Sequence, residues 1–339
     1  MKLNYSPKFF DPEKASRWYA PDIAGAMREG IELALTYDLL PARELIKRKM
    51  GHLLAMTDLQ SDFRDKGRLP VKGTDAAVLR TCTRLMRGTV NDHFAGLLPS
   101  LDEHFMSHIS FDCNWCYVGG GGERLNLSDH GKAAILTLKD EEKRVFEAHA
   151  FDANGKPYSL GCVVSIGDMK DSVLYWKHLQ ATGQGPIWVF VPHCVIGTDG
   201  VNLHPFLAEC IAFFYGARQA DPIIINKGHL SDTDWFGPLE PCRPDSERAP
   251  GMSQSWAIKL MFEFKTVEFA GVAEDFCDYY MKRQMLDRVG GEGVGMGGRL
   301  TFLEDCTAPI IPGAAHVLEL KARAKKLGVK FINHDASFE

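Results

Sequence analysis

The chain has 339 residues, 45% of them hydrophobic, and its 39 Lys and Arg against 44 Asp and Glu give a formal charge of -5. That length supplies a large core, in one elaborated domain or two small ones, and the mixed surface charge argues against nucleic acid or an anionic membrane as the main partner. No signal-peptide pattern and no apolar run long enough to cross a bilayer are visible, and nine scattered cysteines suit reduced thiols, so a cytoplasmic protein acting on a small molecule is expected.

Residues 1–50 read as a mostly helical N-terminal arm, with Ile23, Met27, Ile31, Leu33 and Leu35 as an apolar stripe. The first clear strand is His52–Thr57, which ends at Asp58 and breaks into turn-forming residues around 65–67. Thr74 and Asp75 are in place to cap a helix carrying Val78, Leu79, Cys82, Leu85 and Met86 at helical spacing. Leu97 and Leu98 then lead through Pro99 into Asp102-Glu103-His104. Residues 113–182 form a β-rich insertion with runs at 133–138, 145–151 and 160–166, and Asn154-Gly155 turns between the last two. Alternation of strand and helix resumes from Ile187. Strands are expected at 187–191, 223–225, 267–270, 300–303 and 329–332, with helices near 205–218, 255–264, 277–289 and 313–327. Alternation of this kind implies a parallel sheet covered by helices on both faces.

The glycine-rich patches 119–122 and 290–298 neither follow a clear strand nor open a helix, so they read as loops and not as phosphate cradles. Cys113 and Cys116 lack a second pair and read as structural or incidental thiols.

Ligands of an open parallel sheet bind beyond the carboxyl ends of its strands, which directs attention to four places. Asp58 could act as a general base, with Phe63 as a flat wall for a ring, although an aspartate there also fits a turn or cap. Lys227 follows an apolar run, where a solvated lysine is the ordinary alternative. Cys277 stands where strand gives way to helix; free N–H groups and a nearby lysine would make its thiol lose a proton more easily, while a small buried cysteine is the bland alternative. Asp102, His104 and His108 together with His193 offer one carboxylate and three imidazoles, a set suited to a divalent ion, zinc foremost, with iron or manganese as alternatives.

The order of these pieces resembles the isochorismatase-like cysteine hydrolases, and within them the nicotinamidases. The similar stretches are Asp58-Leu-Gln-Ser-Asp-Phe63, Gly67-Arg-Leu-Pro-Val71, Asp102-Glu-His104 with His108-Ile-Ser-Phe111, Pro192-His-Cys-Val-Ile-Gly-Thr198, Asn226-Lys-Gly228, Gly271-Val-Ala-Glu-Asp-Phe-Cys277 and Leu303-Glu-Asp-Cys-Thr-Ala308, which together span about residues 52–310. The resemblance implies one α/β domain over 1–339 with a doubly wound parallel sheet, and a catalytic triad of Asp58, Lys227 and Cys277. It also implies an oxyanion hole from the N–H groups of Ala273 and Cys277, with a cis peptide at Val272-Ala273. Asp102, His104, His108 and His193 become metal ligands, and Phe63 and Phe190 aromatic walls, Phe190 standing where the family often has tryptophan. The implied activity is conversion of nicotinamide to nicotinate and ammonia through a thioester, a step of NAD salvage. Another amide or N-carbamoyl substrate, or a non-catalytic binding relative, is the alternative. Subunits of such a fold often pair, and the arm could wrap a neighbour in a homo-oligomer. Three features depart from the pattern: a short His104–His108 interval, the long insertion with its extra N-terminal arm, and Trp235-Phe236 in place of the usual tyrosine-serine-alanine-phenylalanine stretch after Lys227.

Overall fold

A computed structural model describes residues 5–152, 154–166, 169–243, 254–292 and 296–338. Residues 1–4 of the arm, 153, 167 and 168 of the insertion, 244–249 after Lys227, and 293–295 of the second glycine patch lie outside the described residues, as do 250–253 and 339.

The alternation of apolar runs and helical periodicity builds a six-stranded, all-parallel sheet. Its strands are β1 (His52–Thr57), β2 (Phe94–Asp102), β8 (Ile225–Lys227), β9 (Val267–Val272), β10 (Leu300–Ala308) and β11 (Lys330–Ile332), in the order β11-β10-β9-β1-β2-β8. β1 and β9 are buried along their whole length, as strands covered on both faces must be. Asp58 follows β1, Asp102 and Lys227 end β2 and β8, and Cys277 follows β9 by a short turn, so one edge of the sheet receives all four.

A second, antiparallel sheet has the order β3-β6-β5-β4-β7, from β3 (Trp115–Tyr117), β4 (Ala133–Asp140), β5 (Val145–Phe151), β6 (Pro157–Ser165) and β7 (Ile187–Phe190). This corrects the expectation that Ile187 returns the chain to the parallel sheet. β7 pairs with β4, Ala133 opposite Phe190 and Leu136 opposite Ile187, so the β-rich sheet extends to Phe190 and delivers the chain directly into the His193 loop. A short apolar strand looks the same in either sheet; here its partner is the exposed edge of β4.

The long helices are α1 (Ile23–Tyr37), α3 (Thr74–Val90), α4 (Met169–Ala181), α5 (Pro205–Arg218), α7 (Cys277–Glu292) and α8 (Ala315–Lys326), with the shorter α2 (Ala42–Lys47) and α6 (Ser255–Met261). α1 packs on α5 through a face that keeps only Met27 and Leu33 of the expected stripe. Ala26, Gly30 and Leu33 are buried, while Ile23, Ile31 and Leu35 are exposed. The cause is a close helix crossing: a Cβ on Gly30 would stand 2.2 Å from the Phe213 carbonyl oxygen, and one on Gly216 would stand 2.1 Å from that of Met27. Small residues therefore define the packed face. Glu209 on α5 fastens the arm, accepting hydrogen bonds from Lys14 Nζ (2.9 Å), Tyr19 Oη (2.7 Å) and the Asp22 N–H (2.9 Å).

His204 caps α5 beneath the arm, its Nδ1 accepting from the Phe206 N–H (3.1 Å) and its Nε2–H donating to the Ala15 carbonyl (3.0 Å). That pattern requires the neutral ring, and burial, with Arg64 adding to it, pulls its pKa down to about 4. A depressed histidine contributes stability that is complete above its unfolded pKa near 6.5 and lost as pH falls toward the folded value; the total is roughly 3 kcal/mol. His204→Asn keeps a capping side chain and removes the titration. Denaturant melts at pH 7 and pH 4.5 should show a smaller acid loss in the variant than in the parent, and equal losses would contradict the assignment.

Candidate active site and metal centre

Asp58 leaves β1 in the left-handed region (φ 50°), its N–H donating to the Ser100 carbonyl at 3.2 Å. The side chain is fully buried. Ser100 Oγ donates to Oδ1 at 2.6 Å, and Oδ2 lies 2.8 Å from Lys227 Nζ. Lys227 is equally buried and reaches three groups at once: Asp58 at 2.8 Å, Asp102 Oδ1 at 2.8 Å and Cys277 Sγ at 3.6 Å. Burial pulls its pKa down, but the two carboxylates prevail and hold it well above the usual lysine range. Asp58 moves the other way: burial, helped by Asp102, raises it against the pull of Lys227. The three residues proposed as a triad from separate parts of the chain thus meet at one point.

Cys277 opens α7, where the first N–H groups of a helix lack intrahelical acceptors. Before it the chain passes through a cis peptide at Val272-Ala273, and the Ala273 carbonyl accepts from the N–H groups of Phe276 (3.0 Å) and Asp278 (3.1 Å). Asp275 fastens the same turn to the end of β10, accepting from the N–H groups of Ile310 (2.8 Å) and Ile311 (2.6 Å). The expected easy loss of the thiol proton is corrected. Burial, with Asp58 and Asp102 adding to it, outweighs Lys227 and keeps the thiol well above its ordinary range. The resting group is a neutral thiol beside a buried carboxylate.

Asp102 belongs to two sets. Oδ1 faces Lys227, while Oδ2 lies 2.8 Å from His104 Nε2 and 3.8 Å from His193 Nε2. Gln60 holds its backbone on both sides, Oε1 accepting from the Asp102 N–H (2.7 Å) and Nε2 donating to the Asp102 carbonyl (2.8 Å). Asp102, His104 and His193 are buried, with ligand atoms within 4.8 Å of one another. The remaining ring nitrogens face carbonyl oxygens, His104 Nδ1 that of Gly228 (3.1 Å) and His193 Nδ1 that of Val191 (2.9 Å). Carbonyls fix the proton on Nδ1 and turn the Nε2 lone pairs inward. A lone pair facing a carboxylate oxygen at 2.8 Å requires a proton or a cation between them, so the residues fit a divalent ion. A carbon at Gly228 would come within 2.8 Å of the His104 ring, which explains a glycine after Lys227.

His108 stands apart from that set. Its ring packs on His104 with centroids 4.1 Å apart and its Nδ1 accepts from the Ser110 N–H at 3.2 Å, but its nitrogens are not among the ligand atoms that lie within 4.8 Å of one another. Three of the four expected ligands therefore converge and His108 lies behind them. Dialysis against a strong chelator should release close to one ion per chain, and His193→Ala should weaken zinc binding at least tenfold while His108→Ala changes it far less. Equal effects of the two substitutions would contradict this division.

Beside these groups lies a cleft whose lining includes Phe63, Leu69, Val71, Phe190, Phe236, Phe276 and Ile310, with Cys277, Ala273, Asp102, His104 and His193 at its polar end. Both expected aromatic walls, Phe63 and Phe190, line it. Phe190 and Phe276 are edge to face, with centroids 5.9 Å apart and an interplanar angle of 80°.

A scan against protein-family models finds no match, and neither does a search of curated proteins. Solved structures do match. Yeast nicotinamidase bound to the inhibitor nicotinaldehyde aligns over 83% of this chain and 99% of its own, at 15% identity and a TM-score of 0.50. The fold is that of the isochorismatase-like hydrolases. Nicotinamidase/pyrazinamidase of Acinetobacter baumanii aligns over 84% of this chain and 97% of its own (17% identity, TM-score 0.48), and Pyrococcus horikoshii pyrazinamidase in complex with zinc over 83% and 98% (16%, 0.44).

Within the isochorismatase-like fold this chain adds residues that sequence patterns alone did not single out. Ser100 sits two positions before Asp102 and Gln60 two after Asp58, so both could have been found by asking what supports those carboxylates. Phe236 and Phe276 line the cleft beside Asp234, seven residues after Lys227, and no periodicity marks any of them. The second sheet also reaches the site, because Trp188 of β7 meets Phe276 edge to face at 5.0 Å. No helix among the described residues is long and apolar enough to cross a membrane.

Proposed function

We propose that this protein is a cytoplasmic cysteine amidohydrolase that cleaves a small, flat carboxamide, nicotinamide foremost, to the carboxylate and ammonia. The observation that carries the reading is the Lys227 ammonium within 2.8 Å of Asp58 and 3.6 Å of Cys277 Sγ, at the wall of a cleft built mostly of aromatic and aliphatic side chains.

The chemistry follows from where the protons rest. A buried carboxylate with a raised pKa is a stronger base than a solvated one, and an oxygen of Asp58 lies within 4.8 Å of the Cys277 sulfur whose proton it takes. As Asp58 takes the thiol proton, the Cys277 sulfur attacks the amide carbon, and the negative charge passing to the carbonyl oxygen is met by the Ala273 and Cys277 N–H groups. Lys227 keeps its charge throughout and compensates whichever of the sulfur and the carboxylate is anionic. Collapse of the tetrahedral species breaks the C–N bond, Asp58 returns its proton to the leaving nitrogen, and ammonia departs. Water then adds to the thioester with Asp58 again as base, releasing the acid and restoring the thiol. A divalent ion bound by Asp102, His104 and His193 would supply a Lewis-acidic anchor for a ring nitrogen, fixing the ring so that its carboxamide faces the sulfur.

The test is ammonia release from nicotinamide, pyrazinamide, benzamide and an N-carbamoyl amino acid, with metal content determined on the same sample. Preference for the ring-nitrogen amides that disappears on chelation supports the reading. Turnover of the N-carbamoyl compound alone would move the substrate to the neighbouring amidases, and no turnover of any would leave a binding protein.

A further inference from the structure

Among the described residues, Asp234 is the one ionisable residue lining the cleft that belongs neither to the triad nor to the candidate metal ligands. It is only 4% exposed, and among the described residues no lysine or arginine pairs with it. Neutral donors hold it from behind: the Trp235 N–H donates to Oδ1 at 2.7 Å and Ser110 Oγ to Oδ2 at 2.5 Å. These bonds fix the direction of the carboxylate without neutralising it. The rest of the wall around it, Phe236, Phe190 and Phe276 included, offers no hydrogen bond to a ligand.

A buried carboxylate in such surroundings carries a large desolvation cost, which an occupant with a matching donor offsets. Conversely, a ligand lacking that donor leaves a buried negative charge with only its two neutral donors, and discrimination against it is steeper than an apolar wall alone provides. Ser110, which holds Asp234, stands six residues after His104 in the loop that follows β2, so Asp234 addresses the part of the ligand at the metal end of the cleft and away from the carboxamide at Cys277.

We propose that Asp234 is a specificity-determining residue that selects carboxamides bearing a second hydrogen-bond donor, an amino or cationic nitrogen on the ring, over the unsubstituted ring. The proposal rests on the reading of the cleft as a carboxamide site and narrows its substrate class.

Binding is measured by calorimetry on the full-length, metal-loaded Cys277→Ala protein, so the result does not depend on turnover. The ligands are nicotinamide and its 2-, 5- and 6-amino derivatives. At least one amino isomer is expected to bind tenfold or more tightly than nicotinamide, and adding Asp234→Asn should reduce that preference to within about twofold. Asparagine keeps the shape and an acceptor for the Trp235 N–H, and an unchanged melting temperature and zinc content identify a variant that is otherwise intact. Should Asp234→Asn fail to fold, the ligand order in the Cys277→Ala background decides alone. Nicotinamide binding without any gain for an amino isomer, or a gain that survives Asp234→Asn in a folded protein, overturns the proposal and leaves the amidase reading standing. Absence of binding by all four ligands overturns both.

Discussion

Lys227→Met should cost roughly 3–5 kcal/mol of stability and reduce amide hydrolysis at least a thousandfold. The ammonium is the counter-charge for two buried carboxylates, each 2.8 Å away. Removing it leaves Asp58 and Asp102 facing one another's charge without solvent, which is the costly way to break a buried ion network. The pH dependence separates this from a simple packing defect. Without Lys227 both carboxyls rise in pKa, so the variant is least stable where they are ionised and recovers as pH falls and they take up protons; a cavity would cost the same at every pH. Melting temperatures of parent and variant from pH 8 to pH 5 provide the comparison, and a constant gap between the two curves would contradict the assigned role.

How much of this was legible in the sequence depends on which force decided each feature. β1, α3, α5, β9 and α7 were legible because a buried strand or an amphipathic helix carries its burial in its own periodicity. β2 was not recognised as a strand, because Pro99 interrupts a run that would otherwise read as one. The structure accommodates the proline where β8 has not yet begun to pair, its first partner in β2 being Ser100. The packed face of α1 coincides only in part with its apolar stripe, because the closest contact is made by glycines at a helix crossing, and Ile23, Ile31 and Leu35 remain in solvent. Lys227 ends β8 instead of following it, since the strand is displaced two residues from the apolar run at 223–225.

The site shows the same division. Asp58, Lys227, Cys277, Asp102 and His104 stand out because each follows or ends a strand of the parallel sheet, whose topology brings strand ends together, whereas His193 arrives from β7 of the antiparallel sheet. The protonation of Cys277 could not be inferred that way. A lysine and a helix start argue for a thiolate, yet the outcome turns on burial and on the two carboxylates sharing that lysine, which are properties of the assembled site. Asp234 was silent for a related reason: only the folding of 228–236 across the cleft turns an aspartate in a polar loop into a buried wall residue.

Cys277→Ser should abolish more activity than its one-atom change suggests, at least a thousandfold, while leaving melting temperature and zinc content almost unchanged. Sulfur is replaced by a smaller atom at a buried position, so packing loses little. Chemistry loses a great deal, because a hydroxyl is far less acidic than a thiol and Asp58 cannot draw its proton at comparable cost. The comparison also discriminates between two uses of the same cleft. Asp102 bridges the sulfur side and the candidate metal ligands, so an ion held by Asp102, His104 and His193 would supply Lewis-acid chemistry that needs no Cys277. That route predicts near-normal ammonia release from Cys277→Ser with zinc bound, whereas the covalent route predicts its loss and, in the parent enzyme, a burst of ammonia of about one per chain whenever thioester hydrolysis is the slower step. Ammonia release from the folded, zinc-loaded serine variant is therefore the measurement on which the nucleophile assignment depends.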